Sequence, residues 1–309
     1  MIQPSQPDAT ASAPSPAEPT ARADGGGRLK AFYELTKSGI AGYVMITAGV
    51  TYFVGARGHA EMIAAVHAMV GTGLATAGAL ALNQHAEREE DRIMFRTRGR
   101  PLPLDRLRPA EALAFGAALL ATGLMWLALL SGLLPAALAA FSAAAYHGVY
   151  TPLKKRSFAA TLTGAVPGAL PALIGWTAAT GAVDVGGLAL FAIAYLWQLP
   201  HVLGLAWMLR EDYARVGFKL VPAGGGRVIG GWMVAATGAL LPVSLAPFFL
   251  GLTGRVYLSG ALLASGAFLW VAVRAARHLT DASARRVFFG SLLYHPVLLG
   301  LLLFDTVRL

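Results

Sequence analysis

The sequence predicts an all-α integral membrane protein with nine transmembrane helices. Three observations support this fold class. Hydrophobic residues make up 56% of the 309-residue chain and charged residues only 13%, which is about half the charged share of a soluble domain. The apolar residues are gathered into nine long segments. The basic residues lie between these segments and concentrate on one side of the predicted bundle.

Each apolar segment is long enough to cross a bilayer, for which a helix needs roughly 20 residues. A very short turn at Ser131 and Gly132 joins the third and fourth segments. These two helices should therefore form an antiparallel pair. We place the spans near residues 36–56, 61–84, 109–131, 133–151, 158–181, 185–209, 226–250, 255–275 and 286–306.

The distribution of Lys and Arg predicts the topology. With nine spans, the N-terminal region shares one side with the connections after spans two, four, six and eight. That side holds 22 of the 25 Lys and Arg residues, and the other three are Arg57, Arg255 and Arg308. Such a bias marks the basic side as cytoplasmic and places the C-terminus on the opposite side. We therefore expect a multi-pass protein of the bacterial inner (cell) membrane.

The rest of the composition excludes several kinds of segment, site and partner. Residues 1–27 are rich in Pro, Ala, Ser, Thr and Gly and have no apolar run, so they predict a disordered cytoplasmic tail before a membrane domain at 28–309. They lack the basic start and apolar core of a secretory signal. The absence of cysteine excludes disulfides and thiolate metal sites. The net charge of +9 follows from membrane topology and does not indicate nucleic acid binding.

A dense polar cluster follows the second span. Asn83, Glu87 and Asp91 lie four residues apart, and on a helix such steps advance about 40° around the axis and about 6 Å along it. The three oxygen-bearing side chains should therefore form one shallow ridge at the mouth of the bundle. Such a ridge suits a hard cation and the phosphates that the cation carries. Acids at membrane depth are costly and usually functional.

Two other spans bring polar residues to the same side. Span four ends in YTPLKKR, in which Tyr150 and Lys154 share one helix face. Span six contains WQLPH, with His201, and is followed by Glu211 and Asp212. Carboxylates bind Mg²⁺, Mg²⁺ binds phosphate, and Lys and Arg neutralise the remaining charge.

The chain resembles the UbiA superfamily of membrane prenyltransferases, and within it the protoheme IX farnesyltransferase (heme O synthase) branch. The resemblance runs from about Tyr33 to the C-terminus. It rests on the combination of motifs in order: NQHAEREED followed by RTRGRPLP, then YTPLKKR, then PGALPALIGWTAATG, then WQLPHVLGLAWMLREDYARVGFKLVP. One position departs from the family pattern, because Glu87 stands where the family has aspartate. Glutamate keeps the charge and reaches one methylene further.

The resemblance implies a reaction and a set of site residues. The farnesyl group of farnesyl diphosphate would be transferred to a vinyl group of heme B with addition of water, which gives heme O and diphosphate. Membrane lipid surrounds the enzyme, and a heme A synthase or terminal oxidase is a further expected partner. Lys154, Tyr150 and Arg100 would grip the diphosphate, and His201 would contact heme or transfer a proton. Mg²⁺ would bind Asn83, Glu87 and Asp91, with a second site at Glu211 and Asp212.

The residues leave two alternatives. The acceptor could be another molecule, such as an aromatic quinone precursor or chlorophyllide, although YTPLKKR and WQLPH favour heme. A transporter would place charge near the membrane midplane and often shows a repeated pair of broken helices. This chain instead concentrates charge at one face, which favours an enzyme.

Overall fold

The computed structural model describes residues 25–307, so the predicted N-terminal tail lies almost wholly outside the described residues. Within that range the chain is helical and its one β-bridge joins Thr253 and Thr306. The helices are α1 (Gly25–Leu35), α2 (Ser38–Gly55), α3 (Met62–Ala86), α4 (Arg88–Ile93), α5 (Pro109–Leu130), α6 (Leu133–Ala145), α7 (Thr151–Leu153), α8 (Ala159–Thr180), α9 (Val185–Met208), α10 (Arg210–Arg215), α11 (Gly225–Phe249), α12 (Arg255–Arg277) and α13 (Asp281–Phe304).

The prediction of nine spans is confirmed for the described residues, in which nine helical segments are long and apolar enough to cross a membrane. Most of their bounds lie within two residues of the prediction. The last span differs, because α13 begins at Asp281 rather than near residue 286. Thr280 caps it by accepting a hydrogen bond from the backbone N–H of Ser283 at 3.2 Å, so a polar first turn extends the helix beyond its apolar part.

The fourth span is not a continuous α-helix. A π-helical turn over Tyr146–Tyr150 joins α6 to α7. Such turns are rare in helices, and those that occur often lie at functional sites. The turn leads directly to Lys154, whose position is therefore set by an irregular stretch of backbone.

Close helix contacts depend on glycine. A Cβ atom at Gly78 would lie 2.3 Å from the backbone nitrogen of Leu120, and one at Gly123 would lie 2.3 Å from that of Ala75. The helices α3 and α5 therefore touch backbone to backbone, as small residues allow in membrane bundles. The short turn between α5 and α6 has Gly132 at φ +110°, which confirms the predicted tight connection.

A proline inside α8 leaves one backbone carbonyl without its helical hydrogen bond, and α6 supplies the missing donor. Pro171 lacks the N–H that would bond the carbonyl of Pro167. The hydroxyl of Ser142 on α6 donates to that carbonyl at 3.1 Å instead. The freed backbone group is thus satisfied between two helices, as membrane-embedded proline requires.

Candidate active site

The polar side chains lie at one end of the bundle, the basic end, where α3 continues into α4. Asn83 and Glu87 are buried, and Asp91 has no exposed surface. The backbone N–H of Glu87 donates to the carbonyl of Asn83 at 3.0 Å and that of Asp91 to the carbonyl of Glu87 at 2.8 Å. The helix is interrupted at Glu87, which has φ −103° and ψ 17°. The two backbone hydrogen bonds nevertheless continue the helical pattern across the interruption, from Asn83 to Asp91.

Lys154 forms a buried ion pair with Glu87. Its ammonium nitrogen lies 2.5 Å from Glu87 Oε1, and the two side chains are 7% and 9% exposed. The same nitrogen lies 4.4 Å from the ring centre of Tyr150 and 5.5 Å from that of Phe218. Burial works against the charge of Lys154, but Tyr150, Tyr146 and Glu87 outweigh it and hold its pKa above the usual value. Lys154 is therefore a cation held between an acid and two aromatic faces.

Arg100 binds Asp91 through one guanidinium nitrogen, at 2.8 and 2.7 Å from the two carboxylate oxygens. The turn that carries Arg100 is fixed by Thr97, whose hydroxyl donates to the backbone carbonyl of Asp91 at 3.1 Å. The arginine-rich segment after span two thus folds back over the acidic ridge. Arg100 is thus brought to the acidic ridge, and its contact with diphosphate stays a prediction.

The two acids after span six occupy different environments. Asp212 is nearly buried, and its two oxygens accept hydrogen bonds from the backbone N–H groups of Phe95 and Arg96, each at 3.2 Å. It therefore joins α10 to the turn after α4. Glu211 has an 81% exposed side chain and lies 3.8 Å from Arg210. Glu211 is thus not brought to the acidic ridge, and its role as a metal ligand stays a prediction.

His201 lies on the side of α9 that faces α13. Its Nδ1 lies 2.9 Å from the hydroxyl of Ser291, and its ring stacks on Phe288 and Trp197 with centroids 4.6 and 5.6 Å away. The neighbouring His295 bonds Tyr43 through Nδ1. His201 is therefore part of an aromatic stack between helices, apart from the Lys154 cluster, and heme contact stays a prediction.

Lys37 lies at the same end of the bundle, although the sequence marks it only as part of the Lys and Arg excess on that side. It precedes α2 with a left-handed backbone, φ 46° and ψ 53°. It shares an open pocket of about 430 Å³ with Arg96 and Arg100. Burial and the nearby Arg100 lower the pKa of Lys37 to about 7. Glu87 and Asp91 pair with Lys154 and Arg100, and neither acid forms an ion pair with Lys37 among the described residues.

A largely apolar cavity of about 280 Å³ extends into the bundle from beneath Tyr150. It runs along α3 from Leu80 to Thr72, a distance of about 12 Å at the rise of an α-helix. Gly164 admits the ring of Tyr150, since a Cβ atom there would lie 2.6 Å from the ring. The cavity and the ion pairs are therefore adjacent parts of one site.

The donor set of the ridge fits magnesium. Asn83, Glu87 and Asp91 offer amide and carboxylate oxygens on consecutive turns, which are the ligands that Mg²⁺ prefers. Within residues 25–307 no group of three or more His, Cys, Asp or Glu side chains converges as a protein-only metal centre. A site that relies on two carboxylates and on substrate phosphates is the usual form for this ion.

The family profile of UbiA prenyltransferases matches residues 44–293. The chain belongs to the UbiA prenyltransferase family. It is 42% identical over 288 residues to the protoheme IX farnesyltransferase of Solibacter usitatus (strain Ellin6076), covering 90% of this chain and 99% of that protein. It is 43% identical over 279 residues to the protein of the same name from Myxococcus xanthus (strain DK1622), covering 88% and 93%. The resemblance inferred from the motifs is thus confirmed.

Solved structures confirm the UbiA fold. A structure described for digeranylgeranylglyceryl phosphate synthase has a TM-score of 0.77 at 18% identity and covers 91% of this chain and 99% of its own. A UbiA homolog from Archaeoglobus fulgidus bound to GPP and Mg²⁺ has a TM-score of 0.60 at 14% identity, covering 88% and 99%. The chain is a multi-pass membrane enzyme of the prenyltransferase class, and the transporter alternative is wrong.

Proposed function

We propose that this enzyme transfers the farnesyl group of farnesyl diphosphate to a vinyl group of heme B, with addition of water, to form heme O and diphosphate. One observation carries the proposal: an apolar cavity ends beneath Tyr150, whose ring holds the buried cation Lys154. An allylic diphosphate has two matching parts, a hydrocarbon chain and a polyanionic head. The relatives named protoheme IX farnesyltransferase support heme as the acceptor.

Lys154 and Arg100 stabilise the leaving group. The allylic C–O bond breaks only if the charge that develops on the departing diphosphate is neutralised. In the described structure both cations are paired with Glu87 and Asp91. A bound diphosphate would compete for the two cations, and the carboxylates released from them would be free to hold Mg²⁺. Lys37, directly before α2, lines a pocket with Arg100 and would add a third positive group.

Asn83, Glu87 and Asp91 would hold Mg²⁺, which supplies further neutralisation of the diphosphate. Glu87 replaces the family aspartate and reaches Lys154 directly. Its amide neighbour Asn83 donates to Glu87 Oε2 at 3.1 Å, so the carboxylate is oriented before any ligand binds. Asp212 and Glu211 are the proposed residues of a second Mg²⁺ site.

The apolar cavity would hold the isoprenoid chain and keep water from the carbocation. Its walls come from α2, α3, α6, α8 and α9, and the π-helical turn, α10 and Leu220 line it as well, so the isoprenoid chain would lie at the centre of the bundle. His201 faces α13 rather than this cavity. If His201 contacts heme, as the motif predicts, heme approaches along the α9–α13 side and extends a vinyl group toward Tyr150.

The basic end is proposed to be cytoplasmic, because it carries the Lys and Arg excess. In this orientation both the diphosphate head and Mg²⁺ enter from the cytoplasm of a bacterial cell, and membrane lipid surrounds the bundle. A heme A synthase or terminal oxidase in the same membrane is the proposed user of the product.

The test is the heme content of membranes from a host that makes no heme O of its own. The chain should yield a new heme heavier than heme B by farnesyl plus water, and Asp91→Asn should abolish it, because the ridge loses a ligand charge while side-chain size is kept. Lys155→Met is the control, since the Lys155 side chain is 56% exposed and pairs with Glu90 rather than with a residue of the acidic ridge. If folded wild-type protein leaves heme B unchanged while farnesyl diphosphate is present, the acceptor is another molecule and the heme proposal is wrong.

A further inference from the structure

Three aromatic side chains of the described residues line the apolar cavity, those of Tyr146, Tyr150 and Tyr213. No acidic or basic side chain in the described part of the chain lines it. The positive charge that a departing diphosphate leaves on the hydrocarbon chain therefore has no carboxylate in the cavity wall. The face of an aromatic ring carries partial negative charge and attracts a cation, most strongly where water is excluded. The tyrosine rings are thus the groups of the wall that suit a carbocation.

Two of the three rings differ from Tyr146 in their position and contacts. The ring of Tyr150 already holds the Lys154 ammonium, 4.4 Å from its centre. Tyr213 lies on α10, outside the nine spans, and packs on Phe218 with ring centroids 6.1 Å apart. Among the described residues, no Lys or Arg lies over the ring of Tyr146. Tyr146 is therefore the ring within the spans that is left for another cation.

The π-helical turn fixes the position of Tyr146. Thr151 donates both its backbone N–H and its hydroxyl to the carbonyl of Tyr146, the hydroxyl at 2.9 Å. The rings of Tyr146 and Tyr150 are neighbours, with centroids 5.2 Å apart and planes tilted by 41°. Because span four runs toward the basic end, Tyr146 lies deeper than Tyr150. The order from the basic end is the Lys154 ammonium, the Tyr150 ring and the Tyr146 ring.

This order matches the charges that the proposed reaction separates. The allylic C–O bond breaks, and its electron pair leaves with diphosphate, next to Lys154. The positive charge is then shared between C1 and C3 of the farnesyl chain. C1 carried the diphosphate, so C3 lies further into the cavity, in the direction in which Tyr146 follows Tyr150. The vinyl π pair of heme B then bonds to C1, and the tyrosine ring forms no bond and is unchanged.

We infer that Tyr146 is a catalytic residue whose ring face stabilises this allylic carbocation. The inference rests on the proposed function and deepens it. Tyr150 holds Lys154 and so acts on the leaving group, whereas Tyr146 acts on the carbon fragment that remains. The attraction comes from the π electrons of the ring, so the Tyr146 hydroxyl is not required for it.

The experiment measures single-turnover release of diphosphate from farnesyl diphosphate by detergent-purified protein, with Mg²⁺ and heme B present. Tyr146→Leu removes the ring and should lower this rate about thirtyfold, the equivalent of one desolvated cation–π contact. Tyr146→Phe keeps the ring and should stay within about threefold of wild type. Farnesyl thiodiphosphate, which ionises far more slowly, should bind all three proteins with similar affinity, because no carbocation forms.

A fluorinated series separates the charge of the ring from its shape. Phenylalanine with one, two or three ring fluorines at position 146 keeps the ring and progressively removes negative charge from its face. The rate should fall stepwise along this series, by about tenfold in total. Phe268→Leu removes a buried ring on α12, which does not line the cavity. This control should leave the rate unchanged.

The outcomes separate this inference from the proposed function. If wild type releases no diphosphate, both are wrong. If it releases diphosphate but farnesylates no heme, only the acceptor is wrong, and the fluorinated series still decides the role of Tyr146. Tyr146→Phe as slow as Tyr146→Leu would show that the hydroxyl acts, which overturns the inference. A rate that does not change with fluorination overturns it as well, since the ring would then supply only shape. If Tyr146→Leu does not fold, a stepwise fall along the series supports the inference and a flat series overturns it.

Discussion

Breaking the buried ion pair between Lys154 and Glu87 should separate its structural contribution from its catalytic one. The two side chains are 7% and 9% exposed and their charged atoms lie 2.5 Å apart. Removing one member of such a pair leaves a buried charge without a partner, which costs about 3–5 kcal/mol. Lys154→Met and Glu87→Gln should each lower the melting temperature of the detergent-purified protein by about 6 °C or more. The double variant removes both charges and should recover most of this loss.

Activity should follow a different pattern. Removing a cation that stabilises developing negative charge lowers kcat by about 10²–10³, and this loss is not repaired when the partner acid is also removed. All three variants should therefore lose heme farnesylation in single-turnover assays with saturating farnesyl diphosphate and Mg²⁺. Lys155→Met is the control, since the Lys155 side chain is 56% exposed and pairs with Glu90 rather than with a residue of the acidic ridge.

Two results would refute this reasoning. A double variant no more stable than Lys154→Met would show that the pair is not energetically coupled. Lys154→Met with near wild-type kcat would show that the cation does not act on the leaving group. A recovery of stability without recovery of activity is the combination that supports both assignments.

Three further predictions follow from the described residues. The pKa of Lys37 is lowered to about 7 by burial and by Arg100, so its charge is present below pH 7 and lost above it. The kcat/KM for farnesyl diphosphate should therefore fall as pH rises from 6 to 8. Lys37→Arg is charged throughout this range and should flatten the profile. Ala75→Phe at the deep wall of the cavity should shift preference from farnesyl toward geranyl diphosphate in competition assays, and an unchanged preference would place the chain elsewhere. Gly123→Ala should lower the melting temperature because its Cβ would meet the backbone of Ala75, whereas Gly238→Ala, with open space around it, should not.

Much of the architecture could be predicted because it depends on local sequence. A span needs a long apolar segment, which is visible without any contact between distant residues. The helical relation between Asn83, Glu87 and Asp91 is likewise local. Backbone hydrogen bonds four residues apart connect the three residues even where the helix is interrupted at Glu87. The resemblance to the family rests on motif order, which is also a property of the sequence alone.

Only tertiary structure decided which polar groups meet. Glu211 and Asp212 are adjacent in sequence, yet one side chain is exposed and the other is held by backbone amides from a distant turn. His201 and Gln198 share one motif, yet they face α13 and the cavity respectively. Lys37 gave no motif signal and reaches the charged pocket through its left-handed backbone. Helical periodicity sets the angle between side chains on one helix, but the direction in which each points depends on the packing of neighbouring helices, which no single segment encodes.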